Sequence, residues 1–386
     1  MQQQSAERVR REIIRLCHVG LDSRTLRIEI IKQLRKVIPI DVFFFSMADP
    51  ATLLFTGVVV DEILEQAMAQ FLENEFFQDD VNKFSWLARN APAVSGLVQA
   101  TQGELESSSR YCEILAPIAL GDELRVALIT SGTCWGFMCL HRERSNPHFT
   151  SVEATFIARL APHIAEGLRK ALLLGSTTEP KVTDEPGLLL LADDLSVVAI
   201  TPIAEQWLAE VAEADWPRKR ALPSAVLAVA ARLQALERGI DAQFALMPKL
   251  HLRTASGHWL VLHASRLSSV SAQGPIAVIF EVARPVEIAP LIVQVYDLSK
   301  REGEVLQSVV RGMSTTEIAN TFHITSHTVQ DHLKAIFEKV GVRSRRELVG
   351  QLFAQQYQPR IIAGSGLDTT GWFNQVVTSD QPVRLG

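Results

Sequence analysis

Ser314-Thr-Thr-Glu-Ile-Ala-Asn-Thr-Phe-His-Ile-Thr-Ser-His-Thr-Val-Gln-Asp-His-Leu-Lys-Ala-Ile-Phe-Glu-Lys-Val-Gly341 reads as two helices joined by a tight turn. Ser314 and Glu317 have the spacing of a capping box. The hydroxyl accepts the N3 backbone N–H, and the carboxylate reaches back to the cap. The same Ser-x-x-Glu pair recurs at Ser299/Glu302 and Ser344/Glu347. Gly312 and Gly341 stand where helices end, since glycine accepts the left-handed backbone of a C-terminal cap. Together these marks predict helices near 300–311, 315–322, 326–340 and 345–354. Each has an apolar stripe: Val305, Leu306, Val309 and Val310; Ile318, Ala319 and Phe322; Val329, Leu333, Ile336, Phe337 and Val340; Leu348, Val349, Leu352 and Phe353. The second and third are joined by His323-Ile-Thr-Ser326, which makes a helix-turn-helix.

The third helix carries a polar outer face. At 100° per residue, His327, Asp331, Lys334 and Glu338 point away from the apolar stripe, with Gln330 beside them. Such a helix meets base edges with its N-terminal turns. Gln pairs with adenine, Asp accepts from cytosine, and Lys reaches guanine or a phosphate. Thr325, Ser326 and Thr328 open the helix, where hydroxyls and free N–H groups suit a phosphate. Arg343-Ser-Arg-Arg346 is the expected backbone clamp. Between Ser299 and Phe353 there are eight Lys/Arg against six Asp/Glu, a net +2, whereas the 386-residue chain carries −5. The basic character is local, as expected of a DNA-binding surface on an otherwise acidic protein.

Leu298-Ser-Lys-Arg-Glu-Gly-Glu-Val-Leu306, Ser314-Thr-Thr-Glu-Ile-Ala319, Thr328-Val-Gln-Asp-His332 and Lys339-Val-Gly-Val-Arg-Ser-Arg345 closely resemble the LuxR-type (GerE-like) helix-turn-helix, without a gap. The resemblance implies four helices, with the third in the major groove and the fourth commonly dimerising. By position, Gln330, Asp331 and Lys334 fall where the family reads bases, and Thr325, Thr328 and Lys339 where it holds phosphates. Lysine is common in the family where Gln330 and Asp331 stand, so the base preference is expected to differ.

Upstream, two stretches break the pattern. From Gly175 to Gly187 the chain mixes Pro, Gly, Thr and charge with almost no apolar content. Arg284-Pro-Val-Glu-Ile-Ala-Pro290 is the second break. We therefore expect domains at 1–174, 187–290 and 291–355, a linker at 175–186 and a tail at 356–386. In the first, helical spacing at Ile13–Cys17 and Leu26–Ile38 precedes strand-like Asp41–Ser46 and Leu53–Val60. A helix near 62–77 follows, then strands at Ala116–Leu120, Leu124–Ile129 and Cys134–His141. A long helix, opened by Phe149-Thr-Ser-Val-Glu153, closes the domain. The second reads as strands Leu188–Ala192 and Val197–Ile200, helices Pro202–Glu213 and Ser224–Glu237, and strands Phe244–Arg253, Trp259–Arg266 and Ile276–Ala283. The fold class expected is multidomain: two α+β domains, then an all-α four-helix domain. By element order alone the first resembles GAF-like and the second PAS-like sensor domains.

Other functions leave marks that this chain lacks. Asp193-Asp194 follow an apolar run as in a phosphorylated receiver, but a strand-like run comes next, so they read as hairpin turn residues. There is no G-x4-G-K-[ST] phosphate loop, no nucleophile–base pair at motif spacing, and no aromatic-aspartate set matching an acyl-homoserine-lactone receptor. No catalytic residues are assigned. Cys134, Cys139 and His141 have an unusual spacing for a metal and read better as core residues. His251, His258 and His263 alone do not make a haem or flavin site. No metal or cofactor is expected. Phe43-Phe44-Phe45, Phe55, Phe76-Phe77, Phe84 and Trp86 either fill a core or line a pocket for a hydrophobic small molecule. No ligand-binding residue is assigned. With no signal peptide and no apolar run of membrane length, the expectation is a cytoplasmic homodimer with no membrane contact. Its partners would be double-stranded DNA, RNA polymerase where it activates, and a small-molecule signal. A regulator that is constitutive or controlled by a partner protein, its upstream domains only dimerising, is the alternative.

Overall fold

The computed structural model describes residues 3–173, 185–211, 222–240, 247–268 and 273–350. The proposed tail, most of the linker, Phe244 and the last turn of the fourth helix lie outside the described residues. The chain forms two compact units, divided in the C-terminal direction between Asp297 and Leu298.

The first unit opens with α1 (Gln3–Leu16), α2 (Ser23–Leu34), β1 (Val42–Ala48), β2 (Phe55–Val60), α3 (Glu62–Gln66) and α4 (Met68–Phe77). It continues with α5 (Phe84–Leu87), β3 (Val94–Gly96), α6 (Leu97–Ala100), β4 (Leu120–Thr130), β5 (Thr133–Glu143) and α7 (Ser151–Ala171). The strands form an antiparallel sheet in the order β2-β1-β5-β4-β3. Side chains alternate across it. Phe43, Phe45 and Met138 pack with α1, α2 and α7, while Phe44, Ala127 and Phe137 pack under α3, α4 and α5. Thr150 and Glu153 cap α7 reciprocally, at 3.3 and 2.8 Å. Gly136 is obligatory on β5, because a Cβ there would stand 2.3 Å from the Ser46 carbonyl oxygen.

The aromatic population is a packed core. Phe44, Phe55 and Phe84 interlock with Phe71 and Phe137 at centroid distances from 4.4 to 6.3 Å. Phe43 and Phe45 face the opposite side of the sheet, and Trp86 is half exposed. Three expectations need correcting. Ala116–Ile118 is a turn of 3-10 helix, because Pro117 has no N–H for a ladder. The strand begins at Leu120. The 62–77 helix is interrupted at Ala67. Arg284–Pro290 is not a break but the start of a helix (Pro285–Val295). Pro285 sits in its first turn, where no N–H is needed, and Glu287 accepts the Arg284 N–H at 2.9 Å. That helix runs across the boundary expected at 290.

The second sheet lies in the same unit. It contains β6 (Gly187–Leu191), β7 (Val197–Ile200), α8 (Pro202–Val211), α9 (Ser224–Glu237), β8 (Lys249–Arg253), β9 (Trp259–Ser268), β10 (Gln273–Val282) and α10 (Pro285–Val295), with strand order β7-β6-β10-β9-β8. Asp193 and Asp194 occupy the hairpin turn, where Asp194 Oδ1 accepts the Ser196 N–H at 2.9 Å. Helix α9 packs on β9, on β2 and on α4. Arg232 lies over the Phe76 ring at 5.0 Å and Arg238 over Phe77 at 4.3 Å. Asp49 of the first sheet accepts from His251 N and meets His251 Nδ1, at 2.7 and 2.9 Å. The two sheets therefore share one continuous apolar core.

The second unit holds α11 (Lys300–Val310), α12 (Thr315–Phe322), α13 (Ser326–Val340) and a helical stretch at 345–350. Among the described residues its buried apolar side chains are Leu298, Val305, Leu306, Val309, Ile318, Ala319, Val329, Leu333, Ile336, Val340, Val342 and Leu348, while Val310, Phe322, Phe337 and Val349 of the predicted stripes are half-buried.

Two outcomes follow for stability. Phe84→Ala removes a ring that touches four others and should cost about 3–5 kcal/mol in chemical denaturation; a loss under about 1 kcal/mol would show a loosely packed site. Asp80 and Glu123 lie in the same interior. Burial raises both carboxyls, but Arg110 beside Asp80, and Arg110 with Arg125 beside Glu123, more than reverse this and hold them below ordinary values. Their contribution is complete above the unfolded carboxylate range, about pH 4, and is lost as pH falls through the lower folded values. The denaturation midpoint should fall on acidification below about pH 4, and Asp80→Asn should flatten that slope.

Candidate nucleic-acid interface

Three caps fix how α12 and α13 meet. Ser314 accepts the Glu317 N–H at 3.3 Å, and Glu317 accepts the Ser314 N–H at 2.6 Å. His323 ends α12 in the left-handed conformation, φ 53°. A non-glycine residue there is uncommon, although His is among the types that tolerate it. Thr325 then caps α13 by accepting the Thr328 N–H at 3.1 Å. One residue, Ile324, separates His323 from Thr325, so the chain reverses sharply. At the far end Gly341 closes α13 at φ 78°.

The apolar stripe Val329, Leu333, Ile336 and Val340 is buried against α11 and α12. The opposite face is consequently exposed, and it gathers Ser326, His327, Gln330, Asp331, Lys334 and Glu338. His327 and Asp331 approach to 3.9 Å, with side chains 85% and 65% exposed, a separation and exposure too open for a strong ion pair. Thr325 and Thr328 share a hydroxyl contact of 2.9 Å at the helix start.

Lys339 and Arg345 stand differently. The Lys339 ammonium reaches Glu302 at 2.7 Å, tying α13 to the cap of α11. Burial raises the Glu302 carboxyl, but Lys339 and the Ser299 cap outweigh this and hold it low. The Arg345 guanidinium donates to the Met313 carbonyl. Arg343 is exposed, and its backbone N–H goes to Glu347 at 2.8 Å. Glu347 thus reaches one residue short of Ser344, while Ser344 Oγ accepts the Glu347 N–H at 3.1 Å as expected. Arg301 was not singled out by sequence. It fastens α11 to α12 through the Phe322 carbonyl at 3.2 Å and the Phe322 ring at 4.6 Å. An Arg at that helical spacing before an aromatic residue is too common a pattern to have flagged it.

Among the described residues of the first unit, titratable groups converge in one place. Glu123 on β4 meets Arg110 Nε at 2.8 Å, Arg125 Nε at 3.1 Å and His141 Nε2 at 3.2 Å. Arg125 also donates to Glu75 of α4 at 2.8 Å and lies over the Phe84 ring at 4.4 Å. Cys139 and His141 both join this cluster, whereas Cys134 does not. Cys134 is buried separately, and burial pushes its thiol up to about 12. The enclosed cavity beside these groups and the phenylalanine core measures about 10 Å³. An open cleft of about 630 Å³ lies outside it, bordered by Phe77, Asp79, Lys83, Trp86 and Ile240. His258 is buried against Ser256 at 2.9 Å. No helix among the described residues is long and apolar enough to cross a membrane.

The model of the bacterial regulatory proteins of the luxR family matches residues 296–351. The HTH-type transcriptional regulator MalT of Yersinia pestis (strain Pestoides F) is 32% identical over 62 residues, 16% of this chain and 7% of MalT. The cyclic di-GMP phosphodiesterase PdeL of Escherichia coli (strain K12) is 31% identical over 77 residues, 20% of this chain and 21% of PdeL. The chain thus spans a small part of each relative, and the likeness is that of a module. Among solved structures, the VqsR LBD domain of Pseudomonas aeruginosa aligns with 43% of this chain and 98% of its own, at 15% identity and a TM-score of 0.30. A phage VqmA–DPO complex aligns with 45% and 82%, at 16% identity and a TM-score of 0.21. Scores of that size do not establish a shared fold. The family match falls on the four helices described above, and residues 296–351 are a helix-turn-helix domain of the bacterial luxR family of regulatory proteins.

Proposed function

We propose that the chain is a sequence-specific DNA-binding transcription regulator that works in the cytoplasm as a homodimer. The observation that carries this reading is α13 itself: its apolar stripe is buried, so its polar stripe is presented outward from the first turn onward. Gln330, Asp331 and Lys334 read base edges, with His327 beside them. Thr325, Ser326 and Thr328 meet a phosphate at the helix start, and Arg343 holds the backbone. Lys339 and Arg345 contribute charge next to the DNA while their tips brace the domain. Two copies read paired half-sites, with pairing through the helix that begins at Arg345. RNA polymerase is the further partner where binding activates.

The upstream unit supplies the signal, and its two sheets are assigned to GAF-like and PAS-like sensors on element order. The packed rings and the 10 Å³ cavity argue against a hydrophobic ligand inside the phenylalanine core. The proposed site for a small molecule is instead the open cleft bordered by Phe77 and Trp86.

Binding measured against specific and scrambled duplexes separates the roles. Lys334→Ala should weaken the specific duplex by about 1–3 kcal/mol and the scrambled one much less. Arg343→Ala should weaken both alike and lower the salt slope by about one. Unchanged affinity in both variants would show that α13 is not the reading surface. Thr325→Ala, which removes the α13 cap, should cost about 1 kcal/mol of stability by thermal melting; no change would mean that the cap is dispensable.

A further inference from the structure

β4 and β5 bring three metal-binding side chains together inside the first unit. Glu123 and His141 are direct partners across the ladder, and Cys139 lies two residues before His141, on the same side of β5. All three are buried, and one donor atom from each lies within 4.8 Å of the other two. A second observation is independent of that convergence. His141 is 2% exposed, its Nε2 faces Glu123, and its Nδ1 is buried with no hydrogen-bond partner. A buried ring nitrogen in that state lacks what almost every buried polar atom has.

Arg110 and Arg125 are set against Glu75, Asp80 and Glu123, and the His141 ring meets Glu123 as well. A divalent cation held by a Cys139 thiolate would balance the cation and both arginines against three carboxylates and one thiolate. Cys139 is a buried free cysteine. Loading would therefore break the S–H bond, form a sulfur–metal bond and release that proton to solvent.

We propose that Glu123, Cys139 and His141 bind a borderline divalent cation of the zinc class. One imidazole, one thiolate and one carboxylate form a donor set that suits such an ion. A cavity of about 10 Å³ borders Glu123 and His141, about the volume of one small ligand atom. Arg110 and Arg125 hold the two Glu123 oxygens in place, and Oε1, which accepts from Arg125 Nε at 3.1 Å, also faces His141. The sequence grouped Cys139 and His141 with Cys134 and favoured core residues over a metal, because Glu123 arrives only through strand pairing.

The full-length protein, stripped with a chelator, is titrated with Co²⁺ alone. One equivalent per chain should produce the strong visible bands of a tetrahedral site and a near-ultraviolet thiolate charge-transfer band, both bleached by Zn²⁺. Cys139→Ser should abolish the charge-transfer band, and His141→Gln should weaken binding roughly tenfold or more. Cys134→Ser should behave as the parent. Circular dichroism of the metal-free proteins identifies which variants are folded. A folded parent that binds no Co²⁺, or only with weak octahedral bands, overturns the proposal. So does a charge-transfer band that survives Cys139→Ser.

Discussion

Burial of one stripe of α13 is the constraint on which the DNA-binding reading depends. Val329, Leu333, Ile336 and Val340 have nowhere to go but against α11 and α12. Because the helix is rigid, placing that stripe inside aims Gln330, Asp331 and Lys334 outward without further choice. The caps then set where the helix starts. Thr325 holds the Thr328 N–H, and His323 turns the chain in the left-handed region, so the first turn of α13 is both ordered and exposed. Lys339 and Arg345 spend their charge partly inside the domain, which makes the reading face a product of packing more than of surface charge.

In the first unit α4 stands between two environments. Asn74 and Glu75 enter the buried polar cluster, while Phe76 and Phe77 carry arginines from α9 on their rings. A helix cannot shift one of these faces without the other. A change at Glu123 or Arg125 would thus reach α9, and with it the second sheet, through packed side chains.

The second unit was legible in the sequence because its helices are short, capped and striped, all local properties. Ser299, Ser314, Gly312 and Gly341 mark ends that the structure reproduces. The strands expected at Trp259–Arg266 and Phe244–Arg253, and the helix at Ser224–Glu237, fall on β9, β8 and α9, although β8 begins only at Lys249. What failed was non-local or ambiguous. Pro285 looked like a break, yet proline is at home in a first helical turn. Ala116–Ile118 looked like a strand until Pro117 is considered as a missing donor. Phe71 and Phe137 completed the aromatic core from elements distant in sequence. The Cys139–His141 pair was visible, but Glu123 joins it through β-ladder register, which no spacing rule encodes. His141 opposite Glu123 became a statement about chemistry only when the strands were paired.

The charge pattern of the recognition face has a consequence for assembly. Lys334 stands beside Asp331 and Glu338, so α13 itself offers little net attraction to phosphates. Lys339 is already paired with Glu302. On the proposed reading, the attraction comes from exposed cations near the ends of helices: Lys300, Arg311, Arg343 and Arg346. A surface with so few uncommitted cations releases few counterions, and a single copy would bind DNA weakly and with a shallow salt dependence. On the proposed reading, two copies bound to linked half-sites supply the affinity, because the second domain engages at a high effective concentration. A mixed-charge reading helix of this kind suits a regulator whose DNA binding is governed by pairing, because occupancy changes sharply when the second copy is withdrawn.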